Sequence, residues 1–313
     1  MYSKYILTAL FTVAFFCLGC NEKPAKLLSQ ATEVGSHNTK ALDTRILNRE
    51  FNNYWYTGKA EITSYKLKQA RYGELREGTA VTIFVTEDFL PKVQVKANNQ
   101  SKTTTPVLKL NSTKNFLTGV YPYSIMTSTF SPVNKKGHAL KVSNSIQEWC
   151  GHVYAQLNNK EQFEITAHSY FEGEADQSTK LPKNWLENEF WNLLRINPNE
   201  LPLGEVNVIP SFDYLKLTHN KLKAYPAVLD LENEESLYAY TIKYPSLDRS
   251  LTIYFENKFP FSIEKWEETY FSGYGEERKS MTTTATKIKQ IKTAYWAQNS
   301  NNDAVLREEL GLN

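Results

Sequence analysis

Cysteine is nearly absent from this sequence: of 313 residues, only Cys17, Cys20 and Cys150 carry a thiol. A disulfide framework and a metal centre built from several cysteines are therefore excluded, and the fold must be held by its core. An excess of one charge is also missing, with 36 Lys and Arg against 34 Asp and Glu. That balance excludes the sustained basic surplus of a nucleic-acid binder or a polybasic membrane binder, so no nucleic-acid partner is expected. The chain has no glycine-rich phosphate loop, no Gly-x-Ser-x-Gly elbow and no His-Glu-x-x-His helix. Each absence removes a common nucleotide or hydrolase chemistry, and no cofactor or metal is expected.

One apolar stretch stands out, Tyr5 to Cys20 behind Lys4, ending in Phe16-Cys17-Leu18-Gly19-Cys20. Its core is shorter than the ~18 residues that span a bilayer, and its basic flank and small-residue exit fit a cleaved export signal. The exit resembles a bacterial lipobox, departing from it at Cys17, where an aliphatic residue is usual. Residues 1–19 then read as a signal peptide and Cys20 as a lipidated first residue. Roughly two or more acyl chains on Cys20 would hold the protein to the membrane lastingly, each methylene burying ~0.8 kcal/mol. Residues 20–42 are polar, small and aperiodic, as a tether is. Asn21-Glu22-Lys23 holds a single acid, which points to the periplasmic face of the outer membrane.

Aromatic residues are plentiful at 13%, while Gly (13) and Pro (12) are ordinary. With period-two patterning along most of the chain, this predicts a mainly β domain over 43–313, a large, curved, mostly antiparallel sheet or half-barrel. The pattern leaves open a second organisation, two similar β halves joined near 175–203. An echo supports it, Val81-Thr82-Ile83-Phe84 before Phe89-Leu90-Pro91 and Leu251-Thr252-Ile253-Tyr254 before Phe259-Pro260; shared turn chemistry explains the echo equally well.

Helical spacing of Ile46, Leu47, Phe51 and Tyr54 predicts a short helix capped by Asp43, passing into strand at Tyr54-Trp55-Tyr56. Glu61–Tyr72 and Ala80–Thr86 read as a hairpin turned by Gly73–Gly78. Phe116–Phe130, Ser145–Leu157, Phe163–Phe171, Tyr214–Thr218 and several later segments read as strands. A central helix is expected after Asn184, in a capping box with Glu187, presenting Leu186, Phe190, Leu193 and Leu194 to the sheet. Lys287–Trp296 reads as a strand, and Asp303–Leu310 as a helix stopped by Gly311.

One group of residues suggests chemistry. If Glu148–Tyr154 is extended, Cys150 and His152 share a face, and a thiol beside an imidazole is the smallest nucleophilic unit. His168, from the next strand, could stand across from them. The stronger reading of the same residues is a small buried cysteine and surface or hydrogen-bonded histidines. Tyr121 and Tyr123, Trp149 and Trp266 are candidates for lining a lipid-like or glycan ligand, although aromatics at strand spacing are commonly core.

Five phrases carry a wider resemblance: Gly58-Lys59-Ala60-Glu61-Ile62 with Tyr65; Arg71-Tyr72-Gly73-Glu74; Ile83-Phe84-Val85-Thr86-Glu87-Asp88-Phe89; Gln147-Glu148-Trp149-Cys150-Gly151-His152; and Trp266-Glu267-Glu268-Thr269. With them the chain resembles a group of uncharacterised envelope lipoproteins of Bacteroidota, some labelled septum formation inhibitor. That label belongs to nucleotide pyrophosphatases opened by a Ser-x-Ser-Pro-Arg-Arg loop, whereas the only Ser-Pro here, Ser131-Pro132, leads into Val133-Asn134. The resemblance implies an envelope location and a shared fold, with no catalytic residues to transfer. The expected function is a membrane-anchored, non-catalytic binding or carrier module with an aromatic-lined concave sheet. An envelope enzyme using Cys150 and His152, and a structural or assembly factor, are the alternatives.

Overall fold

Alternation of inward apolar and outward polar residues governs the computed structural model, which describes residues 44–312. The expected signal peptide and tether, with Cys20 and Asp43, lie outside the described residues. The described residues belong to one compact unit, Lys40–Asn313.

The strands in chain order are β1 (Ala60–Arg71), β2 (Glu74–Leu90), β3 (Val95–Lys96), β4 (Thr105–Thr118), β5 (Tyr121–Pro132), β6 (Lys141–Glu148), β7 (Gly151–Asn159), β8 (Phe163–Ser169) and β9 (Gln177–Leu181). They continue with β10 (Trp185–Leu186), β11 (Gly204–Ile209), β12 (Tyr225–Glu234), β13 (Leu237–Tyr244), β14 (Arg249–Glu256), β15 (Ile263–Ser272) and β16 (Lys279–Thr293). Four short helices accompany them among the described residues: α1 (Arg49–Trp55), α2 (Glu187–Ile196), α3 (Phe212–Leu217) and α4 (Val305–Glu309).

All sixteen strands form one sheet, in the order β10 to β16, then β1, β2, β4 to β9, with β3 on the side of β2. Neighbours are antiparallel except β10 and β11. The first and last strands of this path, β10 and β9, are joined by only Pro182-Lys183-Asn184. Leu181 and Trp185 are therefore at most ~14 Å apart, and the sheet curls round until its edges approach without pairing.

What it curls round is α2. On one side this helix reaches β4, where Asn192 donates to the Leu108 carbonyl at 2.6 Å. On the other, Phe190 packs edge-on to Tyr240 of β13 and Trp191 to Trp266 of β15. Leu186, Phe190, Leu193 and Leu194 are buried as the stripe requires, and each contributes ~1.5–3 kcal/mol by leaving water. The polar residues of α2 are buried too, Glu187, Asn188, Glu189, Asn192 and Arg195. A helix buried all round is inside a structure, so the concave face is filled rather than open.

The outward face is polar. On β6 Val142, Asn144 and Ile146 are buried while Ser143, Ser145 and Gln147 are not; on β8 Phe163, Ile165 and Ala167 are buried while Glu164, Thr166 and His168 are not. This is the reverse of a membrane-spanning barrel, whose outward residues form an apolar band. Separately, among the described residues no helix is long and apolar enough to cross a membrane. The outward Ile62 is an exception with a cause: Leu310 and Leu312, after α4, cover it together with Val81, Ile83 and Ile291.

Several expectations are corrected. The first helix starts after Asn48, whose side chain accepts from the Phe51 amide at 2.7 Å, and it leaves Ile46 94% exposed. Tyr54 and Trp55 remain helical. The β1–β2 turn is only Tyr72-Gly73, and Gly78 lies inside β2. The segments 116–130 and 145–157 each contain a tight turn, at Gly119-Val120 and Trp149-Cys150. Tyr214–Thr218 is not a strand but most of α3. Asn184 does not cap α2; Glu189 does, accepting from the Leu186 amide at 3.0 Å, while Asn184 donates to the Pro182 carbonyl. Lys287–Thr293 is the second half of the longer β16, and Tyr295 to Ala297 form a 3-10 turn.

Candidate functional site

Antiparallel order sends the β1–β2, β4–β5, β6–β7, β8–β9, β13–β14 and β15–β16 connections to one end of the sheet, with α3 between β11 and β12 at the same end. The described chain enters at the other end, where Thr44 bridges to Lys135 between β5 and β6. At ~3.3 Å per residue, the twelve residues of β1 separate the two ends by ~40 Å.

At the connection end lies a cleft of about 370 Å³, whose walls include Arg71, Tyr72, His219, Asp248, Tyr274 and Arg278. The local backbone explains how these side chains converge. Tyr72 and Gly73 both adopt positive φ (55° and 74°), the form of a two-residue hairpin turn that follows the twist of its strands. A side chain on Gly73 would meet the Glu277 carbonyl of the β15–β16 connection at 3.1 Å, so the two turns pack closely there, and one on Gly273 would meet the same carbonyl at 2.7 Å within its own turn. The Gly73 amide donates to Ser272 Oγ at 3.2 Å, and the Tyr72 and Tyr274 rings stand 6.0 Å apart.

Arg71 lies behind these rings, 9% exposed. It donates to the Leu217 carbonyl at 2.5 Å and to the hydroxyls of Tyr72 and Tyr123 at 3.0 and 3.1 Å, and its Nε is buried without a partner. Burial, first of all, pushes both tyrosine hydroxyls up, so at neutral pH they are uncharged and give Arg71 no counter-charge. Arg278 lies over the Phe271 ring at 4.6 Å. His219 is hydrogen-bonded to Glu174 at 2.7 Å, as is Lys216. Burial works against the Glu174 charge, but those two bonds hold its carboxyl below the usual range. The cleft thus combines exposed ring faces, two arginines and hydroxyl, amide and carboxylate groups.

Of the candidate ligand-lining residues, three stand beside this cleft. Tyr123 is buried, stacked on Phe116 at 5.0 Å and bonded to Tyr72 at 2.8 Å. Tyr121 bridges Tyr123 and Trp149, with ring separations of 5.9 and 6.5 Å, and Trp149 is 69% exposed. Trp266 is elsewhere, 2% exposed in the core between Tyr65 and Trp191.

The Cys150 group is rearranged by the turn. Trp149 and Cys150 form the corner between β6 and β7, so the shared-face argument for Cys150 and His152 does not apply. No hydrogen bond joins these two side chains among the described residues. Cys150 is exposed, and the hydrogen-bonding Glu148 carboxylate beside it pushes its thiol up, opposite to the shift of a nucleophilic cysteine. His168 stands across from Tyr154, exposed, 3.1 Å from Asp176.

Between α2, α3 and the sheet lies a second, enclosed polar space of about 40 Å³. Arg249 binds Glu187 through both terminal nitrogens (2.5 and 2.7 Å) and Glu268 through Nε (2.8 Å), while Lys114 pairs with Asp213 at 2.7 Å. The space fits one or two waters and its charged walls are already paired, which is a structural role.

The residues missed by sequence reasoning are Arg71, Arg278, His219 and Tyr274. A usable signal existed for the last two of the chain, an aromatic flanked by glycines in Gly273-Tyr274-Gly275 ahead of Arg278.

No protein-family model and no curated protein matches the chain. Among solved structures it is similar to the crystal structure of a porin-like protein from Bacteroides uniformis, at 8% identity and a TM-score of 0.19, over 74% of this chain and 95% of that one.

Proposed function

We propose that this is a lipid-anchored envelope protein, non-catalytic, that binds a glycan in the cleft at the connection end. The single observation that carries the reading is the cleft itself: rings of Tyr72, Phe271 and Tyr274 beside Arg, His, Asn and Asp groups around about 370 Å³. Ring faces stack on sugar rings, and convergent polar groups take their hydroxyls. A lipid carried inside the sheet is disfavoured, since α2 and α3 fill the interior and leave about 40 Å³, far below the ~300 Å³ of a small ligand site.

Lipidation at Cys20 and membership of the Bacteroidota lipoprotein group belong to the same reading. They rest on the sequence pattern.

The test is an oligosaccharide array probed with the labelled full-length protein, with Tyr274→Ala as the control. Binding to one or more sugars, reduced by about tenfold in the variant, is expected. No sugar bound, together with a lipid co-purifying in native mass spectrometry, would reverse the assignment. Palmitate labelling of wild type and Cys20→Ala checks the anchor: label must appear in the first and vanish in the second.

A further inference from the structure

Four arginines of the described residues are buried, Arg45, Arg71, Arg195 and Arg249. Three have a carboxylate: Arg45 pairs with Glu200, Arg195 with Glu61, and Arg249 with Glu187 and Glu268. Arg71 alone has none; its guanidinium meets a carbonyl and two neutral hydroxyls. A buried cation without an opposite charge is costly, and proteins of this size ordinarily pair it. Here the unpaired one lines the cleft, with a donor, Nε, left over.

A second cation reinforces it. Arg278 is exposed on the same cleft, held over Phe271, and makes no ion pair among the described residues. Against these two charges the cleft walls offer one carboxylate, Asp248, since Glu174 is taken by Lys216 and His219. Among its lining arginine and aspartate side chains the cleft therefore sets two cations against one anion, around ring-stacking surfaces.

We infer that the ligand of this cleft is an acidic saccharide, whose carboxylate, sulfate or phosphate ester supplies the counter-charge that Arg71 lacks. This rests on the glycan reading above and adds a charge requirement to it. Arginine suits the role because its charge survives burial; with both terminal nitrogens already bonded to Leu217, Tyr72 and Tyr123, Arg71 acts on the acid group as a charge. The rings of Tyr72 and Tyr274 then flank the sugar that carries the acid.

The experiment is calorimetric titration of the full-length protein with tetragalacturonate and with its fully methyl-esterified form, which keeps the rings and removes the charge. An array of sulfated and phosphorylated oligosaccharides, each beside its neutral counterpart, extends the comparison. The acid is expected to bind at least about tenfold more tightly than its neutral partner in one of these pairs, and less so as salt rises. Arg278→Gln, at an exposed position, should shrink the preference to about threefold or less. Arg71→Gln should do the same by removing the charge. Equal affinity for acid and neutral forms throughout, or a preference that survives both Arg278→Gln and Arg71→Gln, overturns the acidic-ligand inference and leaves glycan binding standing. Inorganic sulfate bound in an arginine-dependent way without any sugar bound keeps the anion point and overturns the glycan reading. No binding of any probe overturns both.

Discussion

Arg195, at the end of the enclosed helix, grips Glu61 at the start of β1 through two nitrogens, at 2.6 and 2.7 Å, with both side chains fully out of water. The guanidinium also faces the rings of Trp55 and Phe84 at 5.0 and 4.8 Å and donates to the Pro260 carbonyl. One contact thus ties α2, α1, β1, β2 and the β14–β15 connection together. Glu61→Gln leaves the arginine buried and unpaired and is expected to lower the unfolding free energy by about 3–5 kcal/mol. Replacing both partners by apolar residues, Glu61→Leu with Arg195→Met, should cost less than either single change. Denaturant titration of the four proteins checks this, and additive losses would contradict it.

The same pairing sets a pH dependence. Burial alone would raise the carboxyls of Glu61 and Asp213, but Arg195 and Lys114 beside them hold both below the usual range. A carboxyl depressed in the folded state adds stability above its unfolded value, ~4, and that stability is lost as pH falls through the folded value. The buried tyrosines act with the opposite sign. Burial pushes Tyr214 and Tyr270 up to about 12, so stability falls as pH climbs from their unfolded value, ~10, towards that number. Melting temperature should therefore be level from about pH 5 to pH 9 and drop on both sides, and Asp213→Asn should shallow the acid limb. A maximum outside that window would refute the assignment.

Gly78 tests the sheet rather than the helix. It lies within β2 opposite Phe116, and a Cβ there would come 2.2 Å from the Asn115 carbonyl oxygen and 2.8 Å from Phe116 Cβ. The first of these is backbone and cannot rotate away. Gly78→Ala is expected to destabilise by about 1–3 kcal/mol despite the better strand propensity of alanine. Gly119, at the β4–β5 turn, has open space around it but a φ of 60°, so Gly119→Ala should be milder and act through backbone strain alone.

These residues also show where sequence was legible. β13 and β14 follow from Leu237–Tyr244 and Arg249–Phe255 almost residue for residue, because each alternates and ends in turn-forming residues. Tyr214-Leu215-Lys216-Leu217-Thr218 alternates as well, yet it is helical: every side chain of α3 is buried between the sheet walls, so tertiary packing overrides a period that only reports one wet face. The turn at Gly119-Val120 is hidden because Phe116-Leu117-Thr118 and Tyr121 run up to it on both sides, and the one at Trp149-Cys150 because neither of its own residues is a turn former. The cleft was illegible for a different reason. Arg71 ends β1, while His219, Asp248 and Arg278 come from three connections much later in the chain, and only the sheet order brings them to one end. The missing partner of Arg71 is likewise invisible until the other buried arginines are seen to have theirs.

Cys150 gives the last prediction, and it separates exposure from reactivity. The thiol sits at an open turn, where any reagent can reach it, while its backbone amide donates to Glu148 at 2.8 Å and the same carboxylate favours the protonated sulfur. Modification by a disulfide reagent should therefore go to completion but slowly at pH 7, accelerating with pH as thiolate forms. Glu148→Gln removes the opposing charge and should speed the reaction at pH 7 by several-fold, about 3–10. His152→Ala should leave the rate unchanged, because no hydrogen bond connects the two side chains. A rate that falls in His152→Ala would show an imidazole-assisted thiolate and restore the case for nucleophilic chemistry at the β6–β7 corner.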